Sequence, residues 1–358
     1  MANPLRGSAL DVAIDHSDRL AGVTTTPFLA ADIGGTHARV ALVRAARGER
    51  QGIETLAYRK FVCAEYPGVP ELLQAFVDAE VQVPVRHCVL ACAGQLLGDE
   101  VANDNLAWPI RLSPLRQALA LDDVAMLNDF EALGYALDGE LSRGGRHLCG
   151  PDTHGGGPTL VLGPGTGLGA AAHVPGPAGG FVLTTEAGQM DFAPSSVRER
   201  EILAHLAPDG GYVECERIVS GPGLLTAYTA LCALDGEIPK LATPEAVTAA
   251  AAARSDAHAV EAVEIFCASL GSVAGNLALA FMATGGVYLA GGFLSSMYAL
   301  LKHSAFEARF LHGRSAHALL SQVPVWVTEH GHHGVLGAAR WYLQRVLSSE
   351  AMADGMAA

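Results

Sequence analysis

Charged side chains are scarce in this sequence, and positive ones are the scarcer kind. Of 358 residues, 17% are charged, and 23 Lys and Arg stand against 37 Asp and Glu, which gives a net charge of −14. Proteins that bind nucleic acid neutralise phosphates with clustered Lys and Arg, so the composition argues against such a role. Hydrophobic residues make up 50% of the chain, which indicates a globular protein with large cores.

Paired cysteine motifs and a hydrophobic leader are also missing. The seven cysteines are scattered with no Cys-x-x-Cys pair, so we expect no zinc knuckle. We predict a strand at 87–92 in which Cys88 and Cys92 are buried as small apolar side chains. An odd number of cysteines without a signal peptide fits a reducing cytoplasm. Residues 1–27 carry several charges but no apolar leader segment, and we interpret them as a disordered N-terminal tail.

One long stretch has no charge at all and could by its length span a membrane. It covers residues 265–301, whereas about 20 apolar residues suffice for a span. Two glycine pairs, at 285–286 and 291–292, interrupt it, and the residues between them resemble a short buried strand. We therefore predict a core helix over about 256–282 followed by a buried strand at 287–290.

The first chemically informative segment is a glycine turn between two apolar runs, in FLAADIGGTHARVALV at residues 28–43. This pattern predicts a β-hairpin whose turn, at Gly34, Gly35 and Thr36, exposes backbone N–H groups. Such N–H groups can bind an anion such as phosphate, and Asp32 could hold a hydrated Mg²⁺ beside it. A glycine-rich turn next to one acid is also compatible with an ordinary turn.

A second segment of the same kind follows at residues 159–174, TLVLGPGTGLGAAAHV. Its turn contains Gly165, Thr166 and Gly167, and the repeated pattern predicts an internal duplication. Two such turns could bind a polyphosphate from two sides. Neither turn has the lysine or the strand–turn–helix context of a P-loop or a dinucleotide fold.

Several polar residues beside predicted strands and turns could serve either the fold or a binding site. Asn128 and Asp129 end an apolar strand where a helix begins, and the ordinary interpretation of such a pair is a helix N-cap. Glu186 and Glu216 flank turns further along the chain, where the ordinary interpretation is a solvated surface charge.

Eight segments, in this order over residues 28–348, resemble the bacterial glucokinase family of the actin-like ATPase and sugar kinase superfamily. They are ADIGGTHARVAL, VLACAG, MLNDFEALGYAL, VLGPGTGLGAA, TEAGQMDFAP, CERIVSGPGL, GGVYLAGGF and HGHHGVLGAARWYL. The resemblance implies an α/β protein with the actin-like ATPase (ribonuclease H-like) fold, in which two domains flank a ligand cleft. The small domain is expected at 28–138, completed by a C-terminal helix at about 332–348, and the large domain at 139–331.

The implied activity is ATP-dependent phosphorylation of D-glucose at its 6-hydroxyl, the entry step of glycolysis, by a cytoplasmic homodimer that uses ATP and Mg²⁺. By the resemblance, Asp129 is the general base, and a carboxylate that accepts several hydrogen bonds suits a polyol. Further roles are implied for the sugar ligands Asn128, Asp129, Glu186, Gln189, Glu216 and Asn105, for the phosphate-binding turns Gly34, Gly35, Thr36, Gly165, Thr166 and Gly167, for Gly291 and Gly292 beside the adenosine, and for Asp32 as a ligand of Mg²⁺ through water.

One departure from the family pattern leaves alternatives open. Gln189 stands where the family typically has His, and only His changes its charge near neutral pH. The chain could therefore be an impaired glucokinase-like protein or a kinase for another hexose. A sugar-binding regulator is a further alternative, although the helix-turn-helix and cysteine-rich motif of that branch are not visible. The histidines at 330, 332 and 333 could bind a metal ion, but no fourth ligand is evident.

Overall fold

The computed structural model describes residues 26–46, 52–102, 106, 108–137, 144–176, 179–313, 315–329 and 331–357. Most of the predicted N-terminal tail (1–27) lies outside these residues, and so do Asn105 and His330.

Strands and helices alternate along much of the described chain. The strands are β1 (Phe28–Ile33), β2 (His37–Ala45), β3 (Ile53–Val62), β4 (His87–Cys92), β5 (Gln95–Leu97), β6 (Glu100–Ala102), β7 (Ile110–Arg111), β8 (Asp123–Asn128), β9 (Arg146–Cys149), β10 (Thr159–Pro164), β11 (Leu168–Val174), β12 (Phe181–Thr185), β13 (Gly286–Ala290) and β14 (Val325–Thr328). The helices are α1 (Val69–Glu80), α2 (Leu112–Ala118), α3 (Asp129–Ala136), α4 (Val197–Leu206), α5 (Gly221–Leu234), α6 (Pro244–Ala253), α7 (Ala257–Ala280), α8 (Gly292–Ser296), α9 (Tyr298–Lys302), α10 (Phe306–Phe310), α11 (His317–Leu320) and α12 (His333–Ala357). Short 3-10 turns occur at Cys63–Glu65, Ala187–Gln189 and Cys215–Arg217.

The chain divides into two compact units. The first unit comprises Met1–Ala136 together with Gly331–Ala358, and the second comprises Leu137–His330. The C-terminal helix α12 therefore belongs with the N-terminal strands, and each unit has a sheet of its own.

The sheet of the first unit has the order β3-β2-β1-β4-β8. β1 pairs antiparallel with β2, while β1, β4 and β8 run parallel. Every residue of β1 and β4 is buried, as expected for strands covered on both faces. Alternate side chains of β1 face opposite layers: Leu29 packs in a cluster with Phe76 of α1, and Phe28 packs in a cluster with Tyr342 of α12.

The sheet of the second unit has the order β12-β11-β10-β13-β14-β9. β10 pairs antiparallel with β11 and parallel with β13, and β13 runs parallel to β14. The first five positions therefore repeat the pattern of the first unit. Both hairpins form as predicted, and the repeated topology confirms the internal duplication.

Helix α7 is the central helix of the second unit. Its N-cap Asp256 accepts a hydrogen bond from the backbone N of Ala259 at 2.9 Å, and Gly271 and Gly275 allow the backbone of α10 to approach closely. Among the described residues it is the one helix long and apolar enough to cross a membrane, and 78% of its apolar window is buried inside the protein. The predicted core helix and the strand after it are thus confirmed.

Residues 143–158 are rich in Gly and Pro, a composition that predicts a domain boundary or an exposed loop, and this prediction is wrong in part. Residues Arg146–Cys149 form β9, an edge strand that pairs antiparallel with β14, and Leu148 and Cys149 are buried. The strand is only four residues long and is flanked by glycines, so its pairing with a partner far along the chain leaves no local pattern. The small sheet β5-β6-β7 was also missed, because its strands are only two or three residues long. All seven cysteines are buried and none forms a disulfide, which confirms the predicted burial of Cys88 and Cys92.

Candidate active site

The carboxyl edge of the first sheet collects two acidic residues from different strands. Because β1, β4 and β8 are parallel, their ends lie at one edge, and the register aligns Ile33, Cys92 and Asn128 in one row. Asp32 precedes this row and Asp129 follows it. Adjacent strands are about 4.8 Å apart, so β1 and β8 are separated by about 10 Å across β4.

Cys92, on the strand between the two acids, is affected by the charges of both. Burial raises the pKa of Cys92 to about 12, and the negative charges of Asp129 and Asp32 contribute further to that rise. Cys92 is therefore a neutral thiol near neutral pH, and we assign it no chemical role.

The turn into α3 fixes the orientation of Asn128 and Asp129. The Asn128 Oδ1 accepts hydrogen bonds from the backbone N of Phe130 (2.9 Å) and Glu131 (3.3 Å), so Asn128 does act as a helix cap. Asp129 is the first residue of the helix, and its Oδ1 accepts from the N of Phe130 at 2.9 Å. The N-terminal end of a helix favours a negative charge, so the first turn of α3 is a suitable place for a carboxylate.

Asp32 is held by two residues that sequence reasoning missed. Arg39 Nη1 donates to Asp32 Oδ2 at 3.2 Å, and the side chain of Asp32 is 4% exposed. At the start of α12, Gly334 lies so close that a Cβ there would be 3.0 Å from the Asp32 Cγ. Asp32 and Arg39 are register partners across the hairpin, so the predicted hairpin already implied their contact, whereas nothing local to residue 334 indicated its role.

Hydrogen bonds hold both ends of the first glycine turn, whereas its tip is exposed to solvent. The Gly34 N donates to the His37 O at 3.0 Å, and Cys63 contacts the turn twice, from its Sγ to the Gly34 O (3.3 Å) and from its N to the Thr36 O (2.9 Å). Gly35 and Thr36 are exposed. The backbone of this turn can therefore meet a ligand without rearrangement.

The second glycine turn lies at the carboxyl edge of the second sheet. The Gly165 N donates to the Gly167 O at 2.8 Å, and the Gly221 N at the start of α5 donates to the Gly165 O at 2.9 Å. Gly165 and Thr166 are exposed, and a Cβ at Gly165 would meet only open space.

Gly291 and Gly292 follow β13, the parallel neighbour of β10, at the same edge. Gly291 has φ +128°, a conformation that favours glycine, and a Cβ at Gly292 would meet nothing within 4 Å. The backbone here is accessible in the way that a close ligand approach requires.

The structure brings three predicted sugar ligands of the second unit together. The Gln189 Nε2 donates to the Glu216 Oε1 at 2.8 Å, and the backbone N of Leu168 donates to the Glu216 Oε2 at 3.2 Å. Glu186 is exposed and precedes the 3-10 turn that ends at Gln189, where the Gln189 N donates to the Glu186 O at 2.9 Å. Glu216 is half-buried and so is not the ordinary solvated charge.

The open glycine turns suit a polyphosphate, because their N–H groups and small residues let oxygen atoms approach the backbone. A single carboxylate, Asp32, suits Mg²⁺, which keeps several water ligands. Within the described residues no group of three or more His, Cys, Asp or Glu could hold a metal ion, and the possible histidine metal site stays untested. His330 and the predicted sugar ligand Asn105 lie outside those residues.

Comparisons with known proteins identify the family of the chain. The family model described as "Glucokinase" matches residues 29–345. A "Glucokinase-like protein" of Xylella fastidiosa is 42% identical over 319 residues, covering 89% of this chain and 95% of that protein. A glucokinase of Yersinia pestis is 34% identical over 322 residues, covering 90% and 98%.

Among solved structures, a glucokinase from an Antarctic psychrotroph superposes with a TM-score of 0.77 at 29% identity, covering 88% of this chain and 98% of that one. The predicted actin-like ATPase fold is thereby confirmed.

Proposed function

The chain belongs to the glucokinase family of sugar kinases, and we propose that it transfers the γ-phosphoryl group of ATP to the 6-hydroxyl of D-glucose. The observation that carries this proposal is the position of Asp129 at the carboxyl edge of the first sheet. The first turn of α3 orients its carboxylate, and this turn lies at the edge of the sheet where β1 also ends, just before the glycine turn Gly34–Thr36. Cytoplasmic location and a homodimeric state remain part of the proposal.

Phosphoryl transfer asks the protein mainly to position the reactants and to balance charge. Asp129 would accept the hydrogen bond of the attacking hydroxyl and orient its oxygen, and it would take the proton late, because a sugar hydroxyl is a weak acid. Asn128, fixed as a helix cap by its Oδ1, would direct its amide at ring hydroxyls.

Further sugar ligands would come from Glu186, Gln189, Glu216 and Asn105. Carboxylate and amide oxygens accept several hydrogen bonds each, which matches the many hydroxyl donors of a hexose. The pair of Gln189 and Glu216 already has its mutual orientation fixed by a hydrogen bond, so little side-chain entropy is lost on binding.

The nucleotide would be bound by the glycine turns of both units and by Gly291 and Gly292. When bound, Mg²⁺ supplies positive charge to the phosphate oxygens, and Asp32 would hold it through water. Arg39 fixes the Asp32 carboxylate, so the geometry of this group does not depend on the ligand.

The proposal is tested by following glucose 6-phosphate formation in a coupled assay with ATP and Mg²⁺. Glucose, mannose, fructose and N-acetylglucosamine are compared as acceptors, and Asp129→Ala serves as the inactive control. We expect glucose to give the highest kcat/KM. Equal or faster turnover of another hexose would correct the substrate, and no turnover of any sugar would refute the kinase assignment.

A second candidate is a protein that binds sugar but transfers phosphate poorly. Gln189 favours it, because this amide replaces a residue that can carry a proton and it engages Glu216 directly. A sample that binds glucose by calorimetry but forms no glucose 6-phosphate would support this candidate over the first.

A further inference from the structure

The Glu216 carboxylate joins two loops of the second unit. Its Oε2 accepts from the backbone N of Leu168 at 3.2 Å, directly after the turn Gly165–Gly167. Its Oε1 accepts from the Gln189 Nε2 at 2.8 Å, in the loop that also carries Glu186. One side chain therefore contacts the predicted phosphate turn and the predicted sugar loop at once.

Two glycines make room for this carboxylate. A Cβ at Gly167 would lie 2.6 Å from the Glu216 Oε2, and one at Gly188 would lie 2.8 Å from it. Both distances are below the separation that real Cβ atoms show. Any side chain at either position would displace the carboxylate from Leu168, so the contact is specified by the backbone on both sides.

Backbone hydrogen bonds that do not involve the carboxylate join the segment around Glu216 to both loops. The Gly221 N donates to the Gly165 O of the turn at 2.9 Å, and two further bonds reach the loop of Gln189. The Phe192 N donates to the Val213 O and the Cys215 N to the Met190 O, each at 2.7 Å. The Ser220 Oγ donates to the backbone O of Glu216 at 2.6 Å. Because these bonds do not involve the Glu216 side chain, its truncation is expected to leave the loops folded.

We propose that Glu216 is a positioning residue that fixes the turn Gly165–Gly167 for the nucleotide, and that with Gln189 it couples nucleotide binding to sugar binding. The coupling rests on the proposed function, but the positioning of the turn does not. A sugar hydroxyl that binds the Glu216 carboxylate alters the acceptor of the Leu168 N–H and so affects nucleotide binding at the turn. By linkage, nucleotide binding must change the free energy of sugar binding by the same amount.

The positioning is tested without any ligand, by hydrogen exchange of the Leu168 amide in wild type, Glu216→Ala, Glu216→Gln and the matched control Glu214→Ala. We expect faster exchange in Glu216→Ala, because the acceptor is gone. Glu216→Gln should restore protection, since its amide oxygen can accept from Leu168 while the Gln189 amide turns to accept from the new NH₂. Unchanged exchange in Glu216→Ala would overturn the positioning role.

The effect on ligands is measured by calorimetry with the non-hydrolysable nucleotide AMPPNP, with and without glucose. A hydrogen bond to a charged group corresponds to about tenfold or more in affinity, so Glu216→Ala should weaken AMPPNP binding by about that factor, and Glu216→Gln should recover most of it. Equal losses in both variants would show that charge matters rather than the turn contact, and would contradict the proposal.

The coupling predicts that glucose strengthens AMPPNP binding to the wild type, and that this factor falls towards one in Glu216→Ala while Glu214→Ala keeps it. A glucose effect that persists in Glu216→Ala would refute the coupling. The exchange experiment contains no ligand. If the variants show the expected exchange pattern but the wild type forms no glucose 6-phosphate, only the proposed function is contradicted.

Discussion

The two glycine turns occupy equivalent positions in sheets of the same strand pattern, yet each obtains its carboxylate differently. In the first hairpin Asp32 lies on β1 itself and pairs with Arg39 on the adjacent strand. In the second, Glu216 comes from a loop 48 residues beyond Leu168. The repeated element is the backbone of strand, turn and strand, whereas the acidic groups are specific to each unit.

The strand that ends the repeated pattern shows the same contrast. β8 is followed at once by Asp129 and α3, whereas β14, its topological counterpart, is followed by Glu329. By our proposal, only Asp129 of these two acids serves the chemistry. Variants at equivalent positions of the two units therefore test whether the units differ in this way.

The largest effect is expected from Asp129→Asn. Loss of the orienting base should lower kcat by about 10²–10⁴ while the fold persists. The matched control is Glu329→Gln, which removes the acid after the equivalent strand of the second unit and should keep kcat within about twofold. Steady-state kinetics with glucose measure both. If Asp129→Asn retains more than a tenth of the wild-type kcat, Asp129 is not the base.

A second test concerns glycines that allow close helix packing. In the first unit, a Cβ at Gly337 of α12 would collide with the backbone O of Ala132 in α3. In the second unit, a Cβ at Gly271 of α7 would collide with the backbone O of Phe306 in α10. We expect each alanine variant to lose about 1–3 kcal/mol of stability.

Because α3 begins at Asp129, Gly337→Ala should also lower kcat. Thermal melting and kinetics measure the two effects. Gly156→Ala is the control, since a Cβ there meets nothing within 4 Å. Melting temperatures of Gly337→Ala and Gly271→Ala that match this control would show that the packing is looser than described.

A smaller change is expected from Gln189→His. The imidazole can donate to Glu216 as the amide does, and it can also carry a positive charge near neutral pH. One hydrogen bond of altered quality corresponds to about three- to tenfold in kcat/KM, and we expect an increase.

The pH profile of kcat/KM on glucose is the measurement, with Met190→His as a control that places a histidine at the adjacent exposed position. Wild-type and Gln189→His profiles of identical height and shape would mean that Gln189 has a structural role only.

The smallest expected effect separates the units by their response to acid. In the first unit, burial lowers the pKa of His87 from its ordinary 6.5, against the opposing effect of the Asp123 charge. The unfolded chain therefore takes up this proton first, and stability falls as the pH drops below about 6.5.

In the second unit, burial favours the protonated form of Glu199, but hydrogen bonds from Arg309 and backbone N–H groups outweigh it and lower the pKa below its ordinary 4.5. This contribution is present above about 4.5 and is lost as the pH falls through the lower, folded-state pKa. The first unit should thus weaken at a higher pH than the second.

Melting temperatures measured from about pH 8 to pH 4 test this order. His87→Asn should flatten the loss that begins near 6.5, and Glu199→Gln should flatten the one at lower pH. If the melting temperature of His87→Asn falls as much as that of the wild type between about pH 6.5 and about pH 4.5, the assignment to His87 is wrong.

The sequence by itself determined the elements whose signal is local. The hairpins at 28–43 and 159–174, the buried strands at 87–92 and 287–290, and the core helix near 256–282 follow from apolar runs, glycine turns and helix caps within one window. The ordered family segments then specified the fold. Even the contact between Asp32 and Arg39 was implicit, because hairpin register fixes which side chains face each other.

Only the tertiary structure decided the contacts that join distant segments. The edge strand β9 exists because β14 offers it a partner, Gly334 matters because α12 returns to β1, and Glu216 reaches Leu168 because Gly167 and Gly188 leave space for it. None of these partners is near the other in sequence, so no local periodicity records them. Propensity and spacing act over a few residues, whereas close packing acts wherever the folded chain brings two surfaces together.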